Sequence, residues 1–180
     1  MLNERDKQRQ KRHRKRFEAK IDPSAIVVAF NNHCLNADLF SLIYSMLSDL
    51  PDHIRLKTHL YGIDSGDFTD DFMDLGTKTF IDYSVPLHYV KIDGQYELSD
   101  HYHAIDILIV TDDNEPGLTT VKSALTAGCS VITNSKNSDR INLNIKERLR
   151  ISERQCPMEL SKHIAALAAQ RRKFDCALAS

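Results

Sequence analysis

Long apolar runs are missing from this chain. Nothing in its 180 residues approaches the roughly 20 consecutive apolar residues of a membrane-spanning helix, so no transmembrane segment is expected. No apolar stretch follows the basic start, which argues against a secretory leader and for a cytoplasmic setting, with the inner membrane surface reachable through a partner. Cysteine is sparse: Cys34, Cys129, Cys156 and Cys176 lie far apart and form no Cys-x-x-Cys pair. Without an export signal they read as reduced thiols, not as a disulfide or metal framework. No G-x-G-x-x-G follows the first predicted strand, no G-x-x-x-x-G-K-[ST] loop occurs, and no G-x-S-x-G elbow surrounds a serine. These absences argue against NAD(P) binding, against P-loop hydrolysis of ATP or GTP, and against a serine nucleophile. A receiver domain would want an acidic pair after its first strand, where this chain has Asn31-Asn32. There is no internal repeat.

What is present is ordinary for a soluble globular domain: 42% apolar and 27% charged residues, in a chain long enough for one core. The net charge of −1 conceals an asymmetry. Residues 1–20 hold nine Lys/Arg against three acids, leaving fifteen against twenty-two and a net of −7 for the rest. Two regions follow, a basic N-terminal helix over 1–20 and a domain over 21–180. The arm has few apolar residues and neither Gly nor Pro over 3–19, which predicts an exposed or frayed helix broken at Asp22-Pro23-Ser24. It lacks interleaved aromatics, so nucleic acid is not an expected partner.

Beyond the arm, hydrophobic periodicity alternates between strand and helix. AIVVAF (25–30) is a continuous apolar run suited to a strand covered on both faces. NADLFSLIYSMLSDL (36–50) has helical spacing, with Asn36 a candidate N-cap. IRLKTHLY (54–61) alternates as a strand, a short helix is expected near 70–75, and PLHYVK (86–91) is a third strand. A short helix over 98–105 precedes DILIVT (106–111), the clearest strand. A helix over 117–127 ends at Gly128, CSVIT (129–133) is a strand, 134–155 is ambiguous, and a long helix begins at Pro157. The alternation predicts an α/β fold: a three-layer, Rossmann-like parallel sheet with helices on both faces. On the short 98–105 helix His101 and His103 diverge, so they do not read as a metal pair. Asp112 and Asp113 read as solvated residues at a strand end, and no metal or other cofactor is expected.

The stretch AIDILIVTDDNEPGLTTVKSALTAGCSVIT (104–133), with RHRKRFEAKIDPSAIVVAF (12–30) before it, resembles the C-terminal, nucleotide-sugar-binding half of GT-B glycosyltransferases of the retaining family 4, or group 1, type. The resemblance covers roughly residues 12–175. It implies that this chain is a single half of a GT-B architecture that binds a UDP- or GDP-linked sugar. Transfer would then need an acceptor-binding domain or partner protein. In the family, two glutamates eight residues apart serve the donor; the first corresponds to Glu115. The amides of Gly117, Leu118 and Thr119 would face the diphosphate, with the hydroxyls of Thr119 and Thr120 assisting. A helix N-terminus suits that anion because its first N–H groups lack helical partners.

The chain also departs from the pattern. Eight residues after Glu115 stands Ser123, and a one-residue gap gives Lys122, so the second glutamate is absent. The family's Arg and Lys after the first strand are absent from FNNHCLNAD (30–38), where Asn31, Asn32 and His33 offer hydrogen bonds without fixed charge. Lys136 and Arg140 are candidates for the missing charge. Three readings follow: a donor-binding domain of a glycosyltransferase, a non-catalytic GT-B-like pseudo-enzyme or assembly subunit, and an unrelated Rossmann-like domain in which 112–117 is a plain loop. A sheet order that separates residues 31–36 from 112–120 would favour the last.

Overall fold

The computed structural model describes residues 4–30, 37–64, 69–91, 99–110, 115–134, 139–141, 148–152 and 156–177. In chain order the elements are α1 (Glu4–Glu18), β1 (Ile26–Phe30), α2 (Ala37–Asp49), α3 (Asp52–Arg55), β2 (Thr58–Asp64), α4 (Thr69–Tyr83), β3 (Leu87–Lys91), a 3₁₀ turn (Tyr102–Ala104), β4 (Ile107–Ile109), α5 (Glu115–Ala127), β5 (Ser130–Thr133), β6 (Leu149–Ile151) and α6 (Pro157–Ala177). The strands form one sheet of order β3-β2-β1-β4-β5-β6, parallel at every pairing. This is the doubly wound order, in which the chain starts at the centre, builds outward one way, then crosses back and builds the other way.

The apolar run of β1 explains itself in this setting. All five of its residues are buried, and successive side chains enter opposite cores. Ile26, Val28 and Phe30 join Leu60, Ile107, Ile109 and Ile132 under α2, α4 and α6, whose Ile43, Met46, Leu47, Leu75, Leu160 and Ile164 fill that side. Val27 and Ala29 join Tyr61, Leu108 and Val131 under α5, which contributes Leu118, Val121, Ala124 and Leu125. Thus the apolar positions of the helix expected over 36–50 and those of the C-terminal helix cover the same face.

Several boundaries differ from those expected. Residues 54 and 55 belong to the helical turn α3, and β2 begins at Thr58 because Pro51 starts a turn closed by Ile54 N–H and Arg55 N–H on the Pro51 carbonyl. Helix α4 spans 15 residues, not a single short turn. Its later half follows the buried positions Leu75 and Thr79 at helical spacing, while Met73, Phe80 and Ile81 are exposed and blur the pattern. The ambiguous 134–155 contains the edge strand β6. Gly128 ends α5 as expected, with φ of +95°. Cys129 N–H reaches the Ala124 carbonyl at 3.0 Å and Gly128 N–H the Leu125 carbonyl at 3.1 Å, the paired bonds of a Schellman cap. The same pair of bonds closes α1, from Ile21 to Arg16 and Lys20 to Phe17, with Lys20 at φ 55°. A lysine there bears a left-handed conformation that costs about 1–2 kcal/mol for a residue with a Cβ.

The basic arm corrects the expectation of an exposed or frayed helix. Its outer residues are solvated, but Arg16 is 2% exposed. Its guanidinium donates to the carbonyls of Ala104 (3.0 Å), Pro23 (3.1 Å) and Ala25 (3.1 Å) and to the Asp106 carboxylate (2.5 Å). Arg12, four residues earlier and so on the same helix face, pairs with the other Asp106 oxygen. Toward the helix start, Gln8 donates to the Thr126 carbonyl at the end of α5. At the far end, Ala19 packs against the core face that Tyr61 of β2 and Val90 of β3 also line. From Gln8 to Ala19 a helix advances roughly 17 Å, and from β5 to β3 the sheet spans roughly 19 Å. The arm is therefore a strap across the amino-terminal edge of the sheet.

Asp106 is the anchor of that strap. It is 6% exposed, and besides the two arginines its carboxylate accepts from Val27 N–H at 2.8 Å. Its own N–H donates to the Val27 carbonyl (2.9 Å), and its carbonyl accepts from Ser130 N–H (2.8 Å). One residue thus joins α1, β1, β4 and β5. Truncating one partner of a buried pair leaves the other charge desolvated and uncompensated, so Asp106→Ala is expected to lower the unfolding free energy by about 3–5 kcal/mol. The urea midpoint of the variant against the wild type measures it. Arg16→Lys is expected to lose a large part of the same energy, because an ammonium cannot reach the carboxylate and three carbonyls at once.

Candidate functional site

In a doubly wound sheet, ligands meet the carboxyl ends of the strands where the strand order reverses. Here that point lies between β1 and β4, whose last residues Phe30 and Ile109 are register partners. The chain leaves β1 directly into 31–36 and leaves β4, through Val110, into 111–114 and α5. The two segments singled out in the sequence therefore depart from adjacent points on one edge. A sheet order separating them is excluded, which removes the chief support for an unrelated domain with an incidental loop.

The individual residues divide as follows. Asn31, Asn32, His33, Asp112, Asp113 and Lys136 lie outside the described residues. Glu115 opens α5, two residues earlier than expected. Gly117 is then the third helical position, in the first turn of α5, and is buried. Leu118 and Thr119 become the fourth and fifth, where helices pair these amides internally. Leu118 is buried in the core beneath the helix at 6% exposure. Thr119 is on the solvent side. Thr120 is also 6% exposed and hydrogen-bonds the Tyr102 side chain, so its hydroxyl serves the contact between α5 and the 3₁₀ turn. The Tyr102 phenol is pushed up to about 12, chiefly by burial, with the Thr120 bond opposing that rise. Lys122 is exposed and Ser123 half-buried. Arg140 is exposed in the connection from β5 to the parallel strand β6, which leaves from the carboxyl edge.

The opposite edge holds charge that the sequence alone did not assign. Arg12 and Arg16 are committed to Asp106 there, so the strap's inward cations do not serve the carboxyl edge. His59 Nδ1 and His88 Nε2 face one another at 2.9 Å in stacked rings, and Tyr61 Oη meets His101 Nδ1 at 2.9 Å. The usable sequence signal was the acid at the head of the apolar DILIVT strand together with arginines spaced four apart on the arm. Burial raises the Cys129 thiol to about 12, and its Sγ lies 3.1 Å from the Tyr102 carbonyl, so this cysteine is a packed side chain and not a nucleophile. Among the described residues no three His, Cys, Asp or Glu side chains gather as metal ligands would. No helix among them is long and apolar enough to cross a membrane.

The different settings of the two threonines separate packing from binding. Thr120→Val is expected to lower stability by about 1 kcal/mol, the net worth of one hydrogen bond, and to leave nucleotide affinity unchanged. Denaturation and ligand titration of the same variant check both halves.

No protein-family model and no curated protein sequence matches the chain. Solved structures do. WaaG, a glycosyltransferase involved in lipopolysaccharide biosynthesis, superimposes with a TM-score of 0.66 at 18% identity, over 90% of this chain and 43% of its own. HepE of Anabaena, in complex with UDP and glucose, gives 0.62 at 13% identity, over 95% of this chain and 52% of its own. The catalytic domain of cholesterol-α-glucosyltransferase from Helicobacter pylori gives 0.60 at 12% identity, over 82% of this chain and 89% of its own. This chain thus spans about half the length of the first two. At these identities the likeness concerns the fold: the chain is an α/β, Rossmann-like domain of the kind found in GT-B glycosyltransferases.

Proposed function

We propose that the chain is the donor-binding half of a glycosyltransferase, holding a UDP- or GDP-linked sugar at the carboxyl edge of the sheet between β1 and β4. The observation that carries this reading is the register of Phe30 against Ile109, because it starts both candidate segments from one crevice. On this reading the diphosphate lies against the first turn of α5, where Gly117 lets the backbone approach without a side chain and the positive end of the helix dipole favours an anion. Glu115 accepts hydrogen bonds from sugar hydroxyls. Asn31, Asn32 and His33 donate from the end of β1, and Arg140 and Lys136 supply charge from the segment after β5. Leu118 and Thr119 position that first turn, the one from within the core and the other from its solvent side. Glycosyl transfer to an acceptor then needs a second domain or a partner protein, since a cleft between two halves is what excludes water and brings the acceptor to the donor. The arm over 1–20 and the domain over 21–180 act as one unit in a protein that works in the cytoplasm or against the inner membrane surface. Polysaccharide or glycolipid synthesis is the matching setting.

A second reading, a non-catalytic GT-B-like subunit, is favoured by one specific observation. FNNHCLNAD carries no Arg or Lys, and Ser123 or Lys122 stands where the second glutamate belongs. A diphosphate without its charge-assisted partners binds much more weakly.

Titration of the protein with UDP, GDP, ADP and their sugar conjugates separates the two. The donor reading expects saturable binding that shifts the amides of Glu115, Gly117 and Asn31–His33, and that weakens about tenfold in Glu115→Ala, or about 1.4 kcal/mol. No binding up to millimolar ligand would leave the non-catalytic reading.

A further inference from the structure

Helix α4 carries a face that the fold does not use. Met73 and Phe80 are each 61% exposed and Ile81 is 72% exposed. With 3.6 residues per turn, these three and Thr77 share an arc of roughly 100° on the solvent side. Exposed apolar residues scattered singly are ordinary, whereas three on one helix face make a patch. Thr77 contributes its methyl group to that patch, because its hydroxyl donates to the Met73 carbonyl at 2.8 Å. The opposite face is fixed. Leu75 and Thr79 are buried, and a Cβ at Gly76 would lie 3.2 Å from Leu87 of β3. Tyr83 packs on Tyr44 of α2 with ring centroids 4.8 Å apart, Tyr44 Oη donates to Asp82, and the Arg55 guanidinium lies 5.6 Å over the Tyr83 ring. The helix therefore cannot roll its apolar face inward.

The exposed face is self-complementary about Thr77. Met73 lies four residues before it and Ile81 four after it. When two copies of the helix cross antiparallel at Thr77, Met73 of one copy meets Phe80 and Ile81 of the other, and the reverse. The small Thr77 side chains then stand at the closest approach. Asp74 and Lys78, both exposed and one turn apart, border the arc on the flank opposite Phe80. A twofold axis perpendicular to the helices brings like flanks together, so Asp74 of each copy faces Lys78 of the other. A parallel crossing would set Asp74 against Asp74 and Lys78 against Lys78.

We propose that this face is an interface between two copies of the chain: an antiparallel α4–α4 pair about a twofold axis at Thr77. Met73, Phe80 and Ile81 form its apolar centre, and two Asp74–Lys78 pairs lie at its rim. The occupant is a second copy because the apolar positions and both charges find their complements in the same helix reversed. The interface does not depend on the donor reading. Helix α4 packs on β3, the outer strand of the order β3-β2-β1-β4, so pairing there leaves the crevice between β1 and β4 open in each copy.

Sedimentation equilibrium of the full chain, from about 1 μM to about 1 mM, tests this. The mass is expected to rise from 20.5 kDa toward twice that value with concentration. Ile81→Glu places a carboxylate in the apolar centre and is expected to weaken the dimer by about tenfold or more. Its urea midpoint under monomeric conditions should match the wild type, since Ile81 is exposed in the single chain. Lys78→Asp puts four carboxylates at the rim and is expected to weaken association roughly fivefold. Adding Asp74→Lys to that variant should restore it, because the swapped charges are complementary in the same register. A wild type that stays monomeric throughout overturns the proposal and leaves the face to a different protein. A dimer that survives Ile81→Glu, or one that the double swap fails to restore, overturns it as well.

Discussion

The carboxylate of Asp106 is the constraint on which the rest depends. A charge at the head of a central strand is tolerable only when it is compensated, and here two arginines neutralise it while Arg16 and the Val27 N–H hydrogen-bond its Oδ2. The consequence reaches well beyond one ion pair. To bring Arg12 and Arg16 to Asp106, the arm must lie along the amino edge, and in that position Gln8 and Arg16 also satisfy carbonyls that the ends of α5, the 3₁₀ turn and the loop before β1 would otherwise leave open. A buried ion pair is weak evidence for stability as such. Its evident effect here is placement, since no apolar stripe on the arm would locate it.

The two edges of the sheet are electrostatically unlike. Each helix that follows a strand runs back from the carboxyl edge to the amino edge, so helix C-termini, with their negative ends, collect at the amino edge. Asp106 adds a full negative charge there. Cations are attracted to that edge, which is why the most basic segment of an otherwise acidic chain settles on it. Helix N-termini collect at the carboxyl edge, which favours anions. The candidate diphosphate site and the strap are thus consequences of one polarity, on opposite sides of the molecule.

Much of the fold was legible from periodicity. The apolar AIVVAF run and the DILIVT core could be buried on both faces only in a parallel sheet, and the helices over 36–50, 117–127 and from 157 carried apolar stripes at helical spacing. What periodicity misplaced were elements whose pattern is mixed. IRLKTHLY begins with a helical turn dictated by Pro51, α4 exposes Met73, Phe80 and Ile81 among its polar residues, and β6 is a three-residue edge strand with only its ladder to mark it. The candidate site was legible as a position, since the DDNEPG turn follows the clearest strand. The role of each side chain was less so. Thr119 and Thr120 are neighbours of the same type in sequence, yet the helix turns one toward solvent and the other onto Tyr102.

By itself the sequence determined what local chemistry controls: the alternation of strand and helix, the two-faced burial of the central strands, and the left-handed stop at Gly128. These depend on residues within a turn or two of one another. The tertiary structure alone decided the pairing of Arg16 with Asp106, 90 residues apart, the stacking of His59 on His88, and the adjacency of β1 and β4. Each of these depends on the order in which strands assemble, and that order is set by packing across the whole sheet, which no local pattern encodes.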